Sequence, residues 1–122
     1  MLRVGVDLMD VARVARSVER YGDRFYARFF TENERRECEG QPQRLAARIA
    51  AKEAVSKALG SGIGTVRWID IEVSSDPLGR PVLHLHGAAA QLAAELNLTI
   101  WDISLSHTQD QAIAFVVAMA GT

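Results

Sequence analysis

The sequence predicts an α+β fold in which a short antiparallel sheet packs on one long central helix and several shorter ones. Three observations lead there. Apolar residues alternate with polar ones in short runs at the start, middle and end of the chain. They step by three and four in the segments between, and turn residues join the later strands in pairs.

Leu2, Val4, Val6 and Leu8 alternate and read as a strand that ends where Asp7 and Asp10 take over. Asp10 stands where a helix N-cap would. From Val11 to Tyr21 the residues Val11, Val14, Val18 and Tyr21 form a helical stripe closed by Gly22, with Arg13, Arg16 and Arg20 on the opposite side. Phe25, Phe29 and Phe30 suggest a second short helix. Thr31 and Glu34 have the spacing of a capping box for a third, which Gly40-Gln41-Pro42 interrupts. Gln43 to Leu59 is the longest helical candidate, alanine-rich and free of Gly and Pro, with Gly60 where a C-terminal cap belongs. Its small side chains let another backbone or a ligand come close. Ile69, Ile71 and Val73, the turn Asp76-Pro77-Leu78-Gly79, and Val82, Leu83 and Leu85 read as a hairpin. Ala88 to Leu96 reads as a helix, and Ile100 to Ser106 with Ala112 to Ala118 as a second strand pair. Without a repeat, low-complexity segment or linker, residues 1–122 read as one domain.

At 122 residues the chain buries roughly two-thirds of its unfolded surface. With 48% hydrophobic and 24% charged residues and a formal net charge of −1, it offers no bulk charge for nucleic acid. Arg3, Asp7 and Asp10 break up the first ten residues, leaving no room for a secretory signal, and no run approaches the ~20 apolar residues of a membrane span. The expectation is a cytoplasmic protein. Cys38, the single cysteine, has no disulfide partner in the chain and no metal-spaced neighbour, which points to a structural role.

Chemistry concentrates in Ala51-Lys52-Glu53-Ala54-Val55-Ser56-Lys57-Ala58, where charges sit on a helix that otherwise reads as buried and so need partners. Glu53 and Lys57, four apart with the acid first, are spaced for an intrahelical ion pair. Asp7 is a carboxylate at the end of an apolar strand. Two carboxylates brought together repel unless a cation joins them, and magnesium suits one or two protein carboxylates completed by water and phosphate oxygens. The segments Gly5-Val6-Asp7-Leu8 and Ile103-Ser104-Leu105-Ser106-His107-Thr108 are candidates to partner the helix charges. Gly60-Ser61-Gly62-Ile63-Gly64 trails a helix and lacks Gly-Lys-Ser/Thr, so it is not a P-loop; it reads as a flexible cap or as backbone that approaches a nucleotide. His84 and His86 face one side of a strand and make a poor zinc site. Ser106, His107 and Asp110 lack the context of a nucleophile elbow.

Taken with Phe30-Thr31-Glu32-Asn33-Glu34 and Gly79-Arg80-Pro81, these segments occur in an order that resembles holo-(acyl carrier protein) synthase, the small trimeric type of 4′-phosphopantetheinyl transferase, across nearly the whole chain. The resemblance implies transfer of 4′-phosphopantetheine from coenzyme A to a serine of apo-acyl carrier protein, releasing adenosine 3′,5′-bisphosphate, in fatty-acid or polyketide synthesis. It implies Mg2+ on Asp7 and Glu53, with Lys57 adding positive charge. Coenzyme A contacts would come from Arg48 (the 3′-phosphate), Lys57, Gly60, Gly62, Gly64, Arg80, Pro81, His107 and Thr108; Arg80 stands where many relatives carry lysine. Glu53, a water on the metal, or His107 would take the serine proton. Arg13, Arg16 and Arg20 would dock the acidic carrier, and a homotrimer would place the coenzyme site between subunits. A silent module that binds coenzyme A or a carrier, and an unrelated magnesium-dependent nucleotide enzyme, are the competing readings.

Overall fold

The computed structural model describes residues 1–121. The elements run β1 (Leu2–Asp10), α1 (Val11–Tyr21), α2 (Asp23–Phe29), α3 (Glu32–Cys38), α4 (Pro42–Leu59), β2 (Ile71–Ser75), β3 (Pro81–Leu85), α5 (Gly87–Glu95), β4 (Ile100–His107) and β5 (Gln111–Met119), with a 3-10 turn at Trp68–Asp70 before β2. This is the expected α+β fold. The antiparallel strands form a three-stranded sheet in the order β1-β5-β4 and a separate β2-β3 hairpin.

Helix α4 is the axis of the molecule. Pro42 opens it at a position where its missing N–H is no loss, and Gly60 closes it in the left-handed region at φ 75°. It lies on the inner face of the large sheet, and Ala50, Ala51, Ala54 and Ala58 are the residues that allow this, each almost wholly buried. At Gly5 the approach is backbone to backbone, since a Cβ there would run into the Ala54 carbonyl oxygen. The same core takes in Val55, Ile71, Val73, Ile103 and Val116. A second cluster of Val11, Val14, Phe25, Phe30, Leu45 and Ile49 seats α1 and α2 against the first turns of α4.

Cross-strand register sorts the sheet into two faces. Gly5, Asp7 and Met9 of β1 share the inner face with Ala112, Ala114, Val116 and Ala118 of β5 and with Ile103, Leu105 and His107 of β4. The alternating Leu2, Val4, Val6 and Leu8 lie on the outer face beside Ile113, Phe115 and Met119, and the four β1 residues are 50–64% exposed. The alternation thus identifies the strand, but its apolar side points away from α4.

Other local differences have local causes. The capping box at Thr31 forms as expected, Glu34 N–H donating to Thr31 Oγ1 and Thr31 N–H to Glu34 Oε1. Asp10 occupies the N-cap of α1 but makes no side-chain cap bond; the first helical residue, Val11, donates its N–H to the Asp110 carbonyl at 2.9 Å. Ile69 falls in the 3-10 turn instead of a strand, since the Asp70 carboxylate accepts from Arg67 N–H and folds the chain back. Tyr21 ends the α1 stripe exposed, with Arg20 and Arg24 over its ring.

The largest departure concerns Lys52. Its partner is Glu34 of α3, at 2.7 Å with both side chains fully buried, and not the segment Ile103–Thr108. Lys52 Nζ also donates to the carbonyls of Trp68 (3.0 Å) and Ile71, while the Glu34 carboxylate additionally accepts from Val73 N–H at 2.9 Å. Burial lowers the Lys52 pKa, and the Glu34 carboxylate opposes that shift. Removing one member of such a pair strands the other, so Lys52→Met is expected to cost about 3–5 kcal/mol in urea unfolding. Adding Glu34→Gln to it should recover part of the loss, whereas simple loss of packing at Lys52 would leave no recovery.

Candidate functional site

Asp7 reaches the inner face of β1 two residues after the Gly5 contact with α4, so its carboxylate meets the helix at the level of Glu53 and Lys57. Lys57 Nζ donates to Asp7 Oδ1 at 3.0 Å and to the Val6 carbonyl at 2.9 Å. The ammonium therefore bridges α4 to β1 and does not form the intrahelical pair with Glu53 that spacing allows. Glu53 lies one turn earlier and is half-buried. Burial first, and then the charge of Asp7, raise its carboxyl above the ordinary value, with Lys57 offsetting part of this. Two carboxylates and one ammonium thus share a small space in which a further cation would relieve repulsion.

Among the described residues no cluster of three His, Cys, Asp or Glu side chains gathers as a metal cage. Two carboxylates at a surface opening fit a hard cation that keeps water and substrate oxygens in its shell. The loop that follows Lys57 holds Gly60, Gly62 and Gly64 at φ 75°, 67° and 134°, and nothing lies within 4 Å of where a side chain would begin on any of them. Those positive angles favour glycine, and the backbone there is open to a ligand.

A second group forms elsewhere. Arg48, Gly79, Pro81 and His107 line one cavity of about 590 Å3 together with Arg44, Ser74 and Ser75. Arg48 is only 6% exposed; its Nε donates to the Val73 carbonyl at 3.1 Å and its Nη2 lies 3.4 Å from Ser75 Oγ and 3.7 Å from Glu37 Oε2. The guanidinium is held in place while one edge borders the cavity. Arg44, one turn before Arg48 on α4, joins this wall, and its i−4 spacing is the signal that could have found it. Arg80 lines an adjoining cavity of about 230 Å3 with Pro81, Trp101 and Asp102. His107 is exposed at the end of β4. Thr108 Oγ1 accepts from Gln111 N–H at 3.1 Å, so its hydroxyl shapes the β4-β5 turn.

The structure therefore collects Asp7, Glu53, Lys57 and the glycine loop at one place, and Arg48, Pro81, His107 and, next door, Arg80 at another. Neither cavity of the second group is lined by Glu53 or Lys57.

Arg13, Arg16 and Arg20 are exposed along α1. Helix α2 adds Arg24 and Arg28, which border a cavity of about 460 Å3 with Ser17, Tyr21 and Phe29. The sequence reading missed these two; their i, i+4 spacing just past Gly22 is the available clue. His84 and His86 engage Ser74 (2.9 Å) and Glu72 (3.0 Å), structural partners on the small hairpin. Burial pushes the Cys38 thiol up to about 11, which leaves it a poor nucleophile.

Comparison with known proteins gives the family and the fold. Residues 3–116 match the 4′-phosphopantetheinyl transferase superfamily. The chain is 52% identical to a holo-[acyl-carrier-protein] synthase of Herpetosiphon aurantiacus, covering 98% of this chain and 99% of that one. It is 50% identical to the Chloroflexus aggregans enzyme of the same name, over 97% and 95%. Among solved structures, Helicobacter pylori holo-[acyl-carrier-protein] synthase in complex with coenzyme A superposes with a TM-score of 0.87 at 32% identity, covering 95% of this chain and 99% of that one. The Neisseria meningitidis synthase does so at 0.86 and 35%, over 96% and 97%. Fold and relatives lead to one assignment: the chain belongs to the holo-[acyl-carrier-protein] synthase family of 4′-phosphopantetheinyl transferases.

Proposed function

We propose that residues 1–122 form a single transferase domain that moves 4′-phosphopantetheine from coenzyme A to a serine of an apo-acyl carrier protein, releasing adenosine 3′,5′-bisphosphate. The observation that carries this is the meeting of Asp7, Glu53 and Lys57 where β1 crosses α4. Asp7 and Glu53 would hold Mg2+, whose charge, when bound, would offset that of the diphosphate and make the phosphorus more electrophilic. Lys57 stands on the same edge and offers an ammonium to the diphosphate, favouring the charge that builds on the leaving phosphate. The glycine loop beyond it presents backbone to the nucleotide. Glu53 and His107 are the chain's two candidates to accept the serine proton. Supply of holo-carrier for fatty-acid or polyketide synthesis in the cytoplasm is the setting that fits, and no helix of the described residues is long and apolar enough to cross a membrane.

The site is proposed to be shared in a homotrimer. An apolar sheet face that leaves Leu2, Val4, Val6, Leu8, Ile113 and Phe115 exposed favours burial against further copies. The split of site residues into two groups favours it too, because Arg48, Arg80, Pro81, His107 and Thr108 of one copy could then complete the Asp7–Glu53–Lys57 group of the next. Arg13, Arg16 and Arg20, extended by Arg24 and Arg28, make a local positive field on a chain of net charge −1, suited to the acidic surface of a carrier.

Three outcomes test this reading. Intact-mass analysis of an apo-carrier incubated with coenzyme A and magnesium should show a phosphopantetheine-sized gain; chelator abolishes it and Glu53→Gln slows it by about 100-fold or more. No gain on several carriers, despite coenzyme A binding, would instead favour a silent binding module. The doubly charge-reversed Arg24→Glu/Arg28→Glu protein should raise carrier KM by about tenfold at low salt with the coenzyme A KM unchanged. Glu53 carries a cost that metal would offset. Its raised carboxyl means that its stabilising protonated form is complete below the unfolded pKa and lost as pH rises through the folded one. In chelator, Glu53→Gln should therefore melt higher than the parent at neutral pH, with the gain shrinking as pH falls toward the ordinary carboxylate range.

A further inference from the structure

From Leu45 to Leu59, Glu53 and Lys57 are the only residues of α4 that are not buried. A helix enclosed on nearly every side has no single apolar stripe to decide which way it faces. Ala46, Ala47, Ala50, Ala51, Ala54 and Ala58 also give it low ridges, which resist rotation weakly. Yet Glu53 and Lys57 must meet Asp7. At a helix radius of about 5–6 Å, a turn of about 20° displaces a side chain by about 2 Å, and a small hard cation tolerates little departure from octahedral geometry. Something more directional than apolar packing has to index the helix.

The free edge of β2 supplies it. β2 pairs with β3 along one side only, and the backbone groups on its other side meet side chains where a strand would otherwise lie. The Ile71 carbonyl accepts from Lys52 Nζ, and Val73 N–H donates to Glu34 Oε2 at 2.9 Å. The Val73 carbonyl accepts from Arg48 Nε at 3.1 Å, and Ser75 N–H donates to Glu37 Oε2 at 2.9 Å. Cations of α4 thus take the carbonyls, and carboxylates of α3 take the N–H groups, in the alternation a paired strand would give. Each cation also faces a carboxylate of the same ladder, Lys52 with Glu34 at 2.7 Å and Arg48 with Glu37 at 3.7 Å. Arg48 and Lys52 lie one turn apart on one side of α4, and Glu53 and Lys57 follow them about 100° further round.

We propose that Glu34 and Lys52 are positioning residues for the reaction: as rungs of this ladder they fix the rotation of α4 at which Glu53 meets Asp7 and a metal ion, an inference that rests on the transferase reading above. An apolar pair of similar size fills a core at least as well, but it cannot index a helix to one set of backbone groups. Arg48 keeps its own holds on Val73, Ser75 and Glu37, so the two ends of the ladder are separable by mutation.

Lys52→Met/Glu34→Gln removes both rungs without changing the net charge, which leaves the long-range field at the site as in the parent. In the full-length protein, manganese binding followed by electron paramagnetic resonance, and the magnesium concentration that gives half-maximal rate, should both weaken about tenfold or more. Metal-free binding of adenosine 3′,5′-bisphosphate, measured by calorimetry, and the carrier KM should stay within a few-fold of the parent. Glu34→Asp keeps the charge but falls one methylene short of serving Lys52 and Val73 N–H together. It should show the same split at smaller size, and it carries the test where the double variant does not fold. Leu98→Ala, which opens a core cavity outside the ladder, should lower stability and leave manganese affinity unchanged. Parent-like manganese affinity in both ladder variants would overturn the assignment and leave the pair a core filling. Equal loss of metal, nucleotide and carrier affinity, or an equal loss of manganese affinity in Leu98→Ala, would overturn it too. Failure of the parent to modify any carrier, with manganese affinity still lost in the double variant, would remove the transferase reading while the positioning of Glu53 stands.

Discussion

The buried pair of Lys52 and Glu34 sets the rotation of the helix on which everything else is hung. Three donations from one ammonium, to Glu34 and to the carbonyls of Trp68 and Ile71, tie α4 at once to α3, to the 3-10 turn and to β2. Glu34 is satisfied in turn by Thr31 N–H and Val73 N–H. Burying two charges is expensive, and such pairs give specificity more dependably than net stability. Here the specificity is angular. With Lys52 locked on the α3 side, the next residue is turned by about 100°, which carries Glu53, and Lys57 one turn on, toward β1 and Asp7.

Close approach completes what rotation begins. The alanines of α4 and Gly5 of β1 let helix and strand come together until backbone meets backbone at Ala54, and only at that distance can the ammonium of Lys57 reach both Asp7 and the Val6 carbonyl. The same packing presses Glu53 toward Asp7 and raises its carboxyl. A larger residue at either contact would relax the electrostatic crowding and dismantle the site. Stability and site geometry pull against each other at Glu53, the pattern expected where a fold is selected to assemble like charges for a ligand.

These features were unevenly legible in the chain. Element types followed from local signals: the Thr31 and Glu34 capping box, the Gly60 cap and the alanine-rich run all act within a few residues, and they appear where expected. Asp7, Glu53 and Lys57 were legible as charges lacking neighbours. That Glu34 answers Lys52 across 18 residues was not, because Glu34 already had a sufficient local role in the cap. Period-two alternation in β1 marked a strand, yet it could not tell which face meets the helix: the inner face carries Gly5, Asp7 and Met9, the less hydrophobic set, because α4 needs the room. Ile69 went astray for a related reason, since the Asp70 carboxylate outbids alternation for the local backbone.

The outward apolar face of the sheet and the divided site have one common consequence. A strand whose exposed side is Leu2, Val4, Val6 and Leu8 is costly on a lone chain in water, and neither the Arg48 cavity nor the Arg80 cavity of that chain is lined by Glu53 or Lys57. On the trimeric reading, one interface answers both: burial of the sheet face supplies the driving force, and the packing brings a neighbour's Arg48 cavity to the Asp7 edge. Arg48 is suited to that task because its own chain already holds its guanidinium through Val73, Ser75 and Glu37. A phosphate meeting it pays little for ordering the side chain. On that same reading, the hairpin contacts that look merely structural in one copy would preorganise a cation for the next.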